Sequence, residues 1–244
     1  MLVTGSNSRL IAEFKKEMEA LFEMSDLGLM TYFLGMEITQ SSTGIFISQR
    51  KYILDLLKKL KMKRCKSVAT PLAKNGKLSK AEKGENVNLS HYRSLVGSLL
   101  YLTASRPDIM FAASVLSRYM QSPGQVHLRA TKRVLSYVKG TYDSGIWYTT
   151  AENEKLQGLF DSDWAGCLND MKNTIGYVFS TGLGVFSWVS RKQDVISQST
   201  AEAEYMAATA AANQAIWLRK VLTDLFELNR KLLSFKSTIN QPFQ

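Results

Sequence analysis

The stretch from residue 156 to residue 228 constrains the fold of this chain more than any other. Residues 156–161, 174–180 and 184–190 are strand-like runs, the last two joined by Thr181-Gly182-Leu183-Gly184. Three strands on short connections predict an antiparallel meander. One long helix is predicted over 200–228, with Ser199 or Thr200 as its cap. Steps of four and three from Glu204 give Ala208, Ala211, Ala215, Leu218, Leu222 and Leu225. Glu204 is thus the one charged member of an otherwise apolar stripe. The row through Glu202, Met206, Thr209, Asn213, Ile216 and Lys220 is mixed and faces water. Geometry therefore selects Glu204 as the glutamate that faces the sheet.

The same stretch carries the candidate chemistry. It holds Phe160-Asp161-Ser162-Asp163-Trp164-Ala165-Gly166 and, ahead of the helix, Ser199-Thr200-Ala201-Glu202-Ala203-Glu204-Tyr205. Strand residues two apart share a face, so Asp161 and Asp163 point the same way. Two such carboxylates are unfavourable unless solvated or bridged by a cation. Glu204 on an inward face is costly unless hydrogen-bonded, protonated or metal-bound. Alone, it fits a first-turn acid that complements the helix dipole. Coupled to the paired aspartates, it reads better as a metal ligand. Hard cations take oxygen ligands, and two-metal phosphodiester hydrolysis needs three or four carboxylates. Only two ligand positions are visible here, with Asp161 and Asp163 tied for the first.

Other sites are weaker. His91 and His127 are isolated and predicted at a surface or interface. Cys65 and Cys167 are far apart and lack metal-ligand spacing. There is no glycine-rich phosphate loop. Trp147, Trp164, Trp188 and Trp217 are expected in core or rim packing.

Upstream, Leu10, Phe14, Met18 and Leu21 predict an amphipathic helix. Residues 32–38 and 44–48 read as two strands with a hairpin turn at 41–44. A second helix over 50–62 places Ile53, Leu56, Leu57 and Leu60 on one side. Lys58, Lys59, Lys61, Lys63, Arg64 and Lys66 crowd its end. Helix-dipole complementation accounts for some of these lysines, but six in nine residues exceed that need and point to a phosphate-facing surface. Residues 73–90 are polar and read as a linker. Helices are predicted over 91–104, 108–120 and 123–139, the last with Arg129, Lys132 and Arg133 on its polar side. Residues 145–148 read as a strand.

The net charge of +10 is segregated. Residues 1–150 hold 22 Lys/Arg against 11 Asp/Glu, whereas residues 151–244 hold 9 against 10. A basic first part beside a near-neutral second part suggests an anionic polymer held by one and handled by the other. No apolar run reaches the ~20 residues of a membrane span, and no secretory signal is expected. The expected setting is intracellular and reducing, cytoplasmic or nuclear.

The motifs together resemble the C-terminal part of a copia-type retrotransposon Pol polyprotein. Residues 1–5 resemble the segment after the polymerase aspartate pair. Asp26-Leu27-Gly28, residues 32–35 and residues 45–52 resemble the end of the palm and its primer-contacting hairpin, and residues 69–72 the boundary that follows. Residues 92–103, Arg106-Pro107-Asp108-Ile109 and residues 132–141 resemble the thumb and connection region. Residues 161–166 and 199–205 resemble the start of ribonuclease H. The resemblance implies a mixed α/β fold: a partial reverse-transcriptase palm and thumb, then a truncated ribonuclease H-like sheet with one long helix. The expected divisions are 1–72, 73–150, 151–228 and a non-matching tail, 229–244.

By the same resemblance, Asp161 is the first metal carboxylate and Glu204 the second, with Asp163 a candidate outer ligand and Mg²⁺ the cofactor. The implied partners are an RNA–DNA hybrid and the remainder of the polyprotein, with no membrane. Arg50, Lys51, Lys58, Lys59, Lys61, Lys63, Arg64, Arg129, Lys132 and Arg133 are the expected nucleic-acid contacts. The departures are also specific. The polymerase aspartate pair would precede Met1, which resembles an internal methionine used as a start. Residues 229–244 contain no Asp or Glu, so the family's third carboxylate has no counterpart. The missing strands are expected to leave the first strand of that sheet with an unpaired edge. A catalytically incomplete fragment follows; the alternatives are a non-catalytic basic nucleic-acid-binding module or a degenerate product without function.

Overall fold

The computed structural model describes residues 2–5, 7–73, 78–79, 87–149, 156–163, 170–182, 184–226 and 234–237. Helix α1 (Ser8–Leu21) begins at Asn7, whose side chain accepts from Arg9 N and Leu10 N. This is the oxygen cap that satisfies orphan helix donors. Strands β1 (Tyr32–Phe33), β2 (Met36–Ser41) and β3 (Gly44–Ser48) follow, then α2 (Arg50–Lys59). After α3 (Leu89–Leu102) come a short 3-10 turn (Pro107–Ile109), α4 (Met110–Ser117), α5 (Gln125–Gly140) and β4 (Gly145–Thr149).

Residues 32–38 form two strands rather than one. Leu34 and Gly35 take φ of 46° and 76°, and β1 folds back antiparallel onto β2. Gly35 is required twice over. A Cβ there would lie 1.9 Å from the Tyr101 hydroxyl, which itself donates to Leu34 O at 2.5 Å. The 41–44 hairpin forms as predicted, with Ser41 opposite Gly44.

The sheet order is β1-β2-β3-β4. Because β4 pairs antiparallel with β3, this sheet joins residues on both sides of position 72. One core does the same, packing Ile53 and Leu57 of α2 with Tyr92 and Leu99 of α3, Leu116 of α4 and Leu135 of α5. Most of the expected linker, 74–77 and 80–86, lies outside the described residues. Its described part is anchored: the Tyr119 hydroxyl donates to Leu78 O at 2.8 Å.

The second sheet is the predicted meander with one addition. Strands β5 (Leu156–Ser162), β6 (Thr174–Thr181) and β7 (Gly184–Lys192) pair antiparallel in sequence. Helix α6 (Thr200–Phe226) crosses one face. The expected open edge of β5 is corrected: β8 (Ser234–Ser237) pairs parallel with Gln157–Phe160. The tail thus supplies a fourth strand, whose backbone satisfies donors and acceptors that an edge would expose.

The inward face of α6 is also corrected. Ala203, Ala207, Ala211, Ala215 and Leu218 are buried, the last three packed with Leu156 and Phe179 of the sheet. The stripe therefore begins at Ala203, one residue earlier than predicted, and Glu204 is half-buried at its flank. Burying a carboxylate costs more than burying a methyl group, so the helix rolls toward its alanines. Residues this small also let the helix axis approach the sheet closely.

Three hydrogen bonds tie the two sheets' surroundings together. Trp188 Nε1 donates to Thr103 O at 2.9 Å, the Tyr148 hydroxyl to Val185 O at 2.9 Å, and an Arg118 guanidinium nitrogen to Thr174 Oγ1 at 2.9 Å.

Candidate nucleic-acid interface and carboxylate site

Helices α2 and α5 pack against each other, and the segment leaving α2 runs along α5. The Ser136 hydroxyl lies 3.7 Å from Cys65 Sγ, the Lys139 ammonium donates to Cys65 O, and an Arg133 guanidinium nitrogen donates to Thr70 Oγ1 at 2.9 Å. These contacts bring two basic clusters, distant in sequence, onto adjoining surface. Lys58, Lys59, Lys61, Lys63, Arg64 and Lys66 are exposed on one side, and Arg129 and Lys132 on the other. Arg133, predicted as a free phosphate contact, is half-buried and spends a donor on Thr70. Arg50 pairs with Asp143 at 3.0 Å and lies over the Tyr142 ring, and the Lys51 ammonium lies over the Tyr32 ring. Arg133, Arg50 and Lys51 are therefore less available than the cluster at 58–66.

Lys61 stands out within that cluster. Lys61 N donates to Lys58 O at 3.1 Å and Met62 N to Leu57 O at 2.8 Å, the paired bonds that close a helix through a left-handed residue. Lys61 is that residue, at φ 57°. Glycine is preferred there because a Cβ is penalised by roughly 1–2 kcal/mol in this region. A lysine in that place gives up stability and gains an exposed positive charge at the centre of the basic surface.

The carboxylates lie elsewhere. Asp161 lies one residue before the end of β5, opposite Gly176, and Asp163 continues the ladder, with its N–H on Thr174 O at 3.0 Å. Both line a cleft of about 610 Å³ between β5-β6-β7 and the turn into α4. Asp163 Oδ1 accepts the Thr174 N–H, and Asp161 Oδ1 accepts the Ser162 N–H at 2.9 Å. Enclosure by the cleft raises the Asp161 carboxyl above its ordinary 3.8; the Ser162 N–H pulls it back, and the Asp163 charge pushes it further up. Trp164, Ala165 and Gly166 of the predicted motif lie outside the described residues.

Strand alternation turns Asp161 away from the core beneath α6. Leu156 and Phe160 face α6, so Asp161 and Leu159 face the cleft on the other side of the sheet. The start of α6 does reach the same end of that sheet. Gln193 Nε2 donates to Ala203 O at 3.2 Å, while Gln193 Oε1 accepts from Asn173 Nδ2 at 3.1 Å and Ser197 Oγ at 2.9 Å. Glu202 Oε2 accepts from Gln198 N at 2.6 Å, closing the helix start. Among the described residues, no three His, Cys, Asp or Glu side chains gather closely enough to hold a metal ion. These residues do not fit a two-metal hydrolytic centre. No helix among the described residues is long and apolar enough to cross a membrane.

Buried polar groups were the least visible feature in the sequence. His127, expected at a surface or interface, is fully buried. Its Nδ1 accepts from Gly124 N at 2.8 Å, Nε2 lies 2.8 Å from Ser79 O, and the ring stacks on Tyr119 at 3.9 Å. A neutral ring with its proton on Nε2 satisfies both partners. Burial holds its pKa below 6.5 against the Ser79 carbonyl. His91, by contrast, is exposed. Arg106 is 2% exposed and grips Asp108 through two bonds of 2.8 and 2.7 Å, with Thr141 O and Oγ1 taking its other donors. The Gln193 network gave no sequence signal beyond polar residues beside strand ends.

The family described as reverse transcriptase (RNA-dependent DNA polymerase) matches residues 1–74. The Retrovirus-related Pol polyprotein from transposon RE1 of Arabidopsis thaliana is 37% identical over 225 residues, 92% of this chain and 15% of that protein. The corresponding polyprotein from transposon TNT 1-94 of Nicotiana tabacum is 39% identical over 235 residues, 92% of this chain and 18% of that protein. An uncharacterized mitochondrial protein of Arabidopsis thaliana is 36% identical over 219 residues, 89% of this chain and 90% of that protein. The chain thus spans less than a fifth of the two Pol polyproteins. No solved structure matches.

Proposed function

Because this chain belongs to the reverse-transcriptase family of copia-type retrotransposon Pol polyproteins, we propose that it is the part of such a polyprotein that holds nucleic acid by its backbone and is catalytically incomplete. On this proposal residues 1–72 are the end of the palm with its primer-contacting hairpin. Residues 73–150 are the thumb or connection helices, and residues 151–228 a ribonuclease H-like sheet and helix. The ligand is an RNA–DNA hybrid, and the remainder of the polyprotein is the natural partner.

The basic surface carries this reading. Lys58, Lys59, Lys61, Lys63, Arg64, Arg129 and Lys132 converge although more than sixty residues separate α2 from α5. A surface of lysine and arginine without a base-reading element grips phosphates and fixes register without reading sequence. The carboxylates argue against efficient cleavage. Magnesium demands near-octahedral oxygen ligands and dehydrates reluctantly, and among the described residues no three carboxylate, imidazole or thiol groups gather to supply them.

Fluorescence anisotropy with a labelled RNA–DNA hybrid tests the binding. Log affinity should fall linearly with log salt concentration, by roughly 0.9 per neutralised phosphate. Replacing Lys58, Lys59 and Lys132 by alanine should flatten that slope. Absent or salt-independent binding would end the proposal. Incubating the hybrid with Mg²⁺ or Mn²⁺ tests the second half: cleavage that disappears in Asp161→Asn would show a working nuclease.

A further inference from the structure

One face of the first sheet serves neither the core nor the basic surface. Residues directly opposite on paired strands share a face. The pairing therefore sets Tyr32, Glu37, Ser48 and Gly145 in one row and Thr39, Phe46 and Trp147 in the next. Side chains alternate along each strand, so Ile38, Ile47 and Ile146 point the other way. Ile38 and Ile146 are buried, which makes theirs the core face. The aromatic rows look outward: Tyr32 is 51% exposed and Trp147 38% exposed.

The rings are arranged along the sheet. Phe46 and Trp147 have ring centres 5.8 Å apart, tilted by 35°. The Phe46 ring lies over Gly145, where a Cβ would come within 2.8 Å of Phe46 Cζ. The other neighbours of the pair on this face, Gly44, Thr39 and Ser48, are small. The margin carries cations from the start of α2. The Lys51 ammonium lies 5.5 Å from the centre of the Tyr32 ring and forms no ion pair among the described residues. Arg50 is shared with Asp143 and Tyr142, next to Gly145. Glu37 is the acid on this face, and its Oε1 accepts the Lys51 N–H at 2.7 Å. The other end of α2, ten residues and about 15 Å away, meets the basic cluster.

We propose that this face is a stacking platform for the unpaired bases of single-stranded nucleic acid, with Phe46 and Trp147 beneath the bases and Lys51 beside the phosphates. Aromatic faces bordered by cations hold single strands without reading sequence, because every base has a π-face. A duplex keeps its bases stacked on one another and cannot offer them to the rings. The platform and the phosphate-holding cluster stand at the two ends of one helix, so a strand leaving a held hybrid meets the rings. The choice of occupant rests on the nucleic-acid reading above, whereas the shape of the platform does not.

Fluorescence anisotropy with the full chain compares three labelled probes: a blunt RNA–DNA hybrid, an oligodeoxyadenylate, and a strand of equal length built from abasic sugars. The last keeps the phosphates and lacks the bases. The oligodeoxyadenylate should bind about tenfold or more tightly than the abasic strand, as the stacking of a single base implies. Trp147→Leu keeps an apolar side chain and removes the ring. It should bring the two strands to equal affinity, with circular dichroism and hybrid binding unchanged. Trp147→Phe should retain most of the preference, and Lys51→Ala should weaken both strands alike. Equal affinity of the unaltered chain for the two strands, or a preference that survives Trp147→Leu, would overturn the platform. A preference lost in Trp147→Leu while the blunt hybrid fails to bind would support the platform and end the reading of the basic surface. Hybrid binding with no preference between the strands would do the reverse.

Discussion

Replacing Lys61 by glycine should make the protein more stable and a poorer ligand for nucleic acid, and the two effects arise from different atoms. The left-handed backbone at Lys61 (φ 57°) closes α2 through bonds to Lys58 O and Leu57 O. Removing the Cβ relieves roughly 1–2 kcal/mol of steric penalty. Glycine also gains more freedom in the unfolded chain, which returns roughly 0.5–1 kcal/mol. The net gain should be about 0.5–1 kcal/mol. Urea titration followed by circular dichroism reads it as a higher midpoint at unchanged slope. Removing one phosphate contact should lower the salt slope of hybrid binding by about one. Lys61→Asn, which tolerates this backbone and also lacks the charge, should match the glycine variant in the binding assay. If Lys61→Gly destabilises the protein, the helix end is not strained as argued. If it stabilises without weakening binding, the lysine is not part of the phosphate surface.

Further predictions follow from the buried polar groups and the tail. Arg106→Leu leaves Asp108 without its counter-charge and Thr141 O without a donor. Its cost should be about 3 kcal/mol, the low end for a broken buried pair because Asp108 is partly exposed. Burial raises the Asp108 carboxyl but Arg106 brings it below 3.8 overall. That stability is present above pH 3.8 and lost as pH falls toward the lower folded value, so the acid limb of a pH–stability curve should flatten in Arg106→Leu. His127 has a folded pKa lowered from 6.5, so its contribution is intact above pH 6.5 and lost as pH falls below it. In His127→Gln the fall below 6.5 should vanish, at a cost of roughly 1–3 kcal/mol at neutral pH. Deleting residues 233–244 removes β8 and uncovers the β5 edge, and concentration-dependent aggregation by light scattering should follow. Magnesium should raise the melting temperature no more than an ionic-strength-matched salt, and an Asp161-dependent rise would contradict the absence of a fitted site.

Periodicity made much of this fold legible. The stripes at Leu10 to Leu21 and Ile53 to Leu60, the 41–44 hairpin and the three-strand meander each depend on neighbours a few residues apart. What failed depends on contacts between distant residues. The turn at Leu34 is set by a Tyr101 hydroxyl 67 residues away, and leucine gives no sign of a left-handed backbone. His127 is buried because Ser79, 48 residues earlier, offers its carbonyl. Four residues of the tail, Ser234-Phe235-Lys236-Ser237, become β8 because β5 has a free edge. The one-residue roll of α6 was undecidable locally, since Ala203 and Ala207 make as good a stripe as Glu204 and Ala208. At the site, the basic surface was legible residue by residue, but its convergence rests on α2 meeting α5. The shared face of Asp161 and Asp163 followed from strand alternation, whereas the face itself did not.

That face is not a soft feature of the chain. Turning Asp161 to the α6 side of the sheet requires β5 to slip by one residue against β6. The slip would turn Leu156 and Phe160 out of the α6 core and bring Leu159 and Gln157 in. Exposing Leu156, which is buried, costs roughly 1.5–3 kcal/mol, and Phe160, which is partly buried, adds less, before any change in the β8 pairing. Gly158 closes the alternative further: its position lies against the Phe179 ring, 2.5 Å from where a Cβ would be, so no side chain can take its place. The register is therefore set by packing between β5, Phe179 and the alanines of α6. A single substitution at the carboxylates cannot change it, and the charge of Asp161 is committed to the cleft by the same contacts that hold the sheet together.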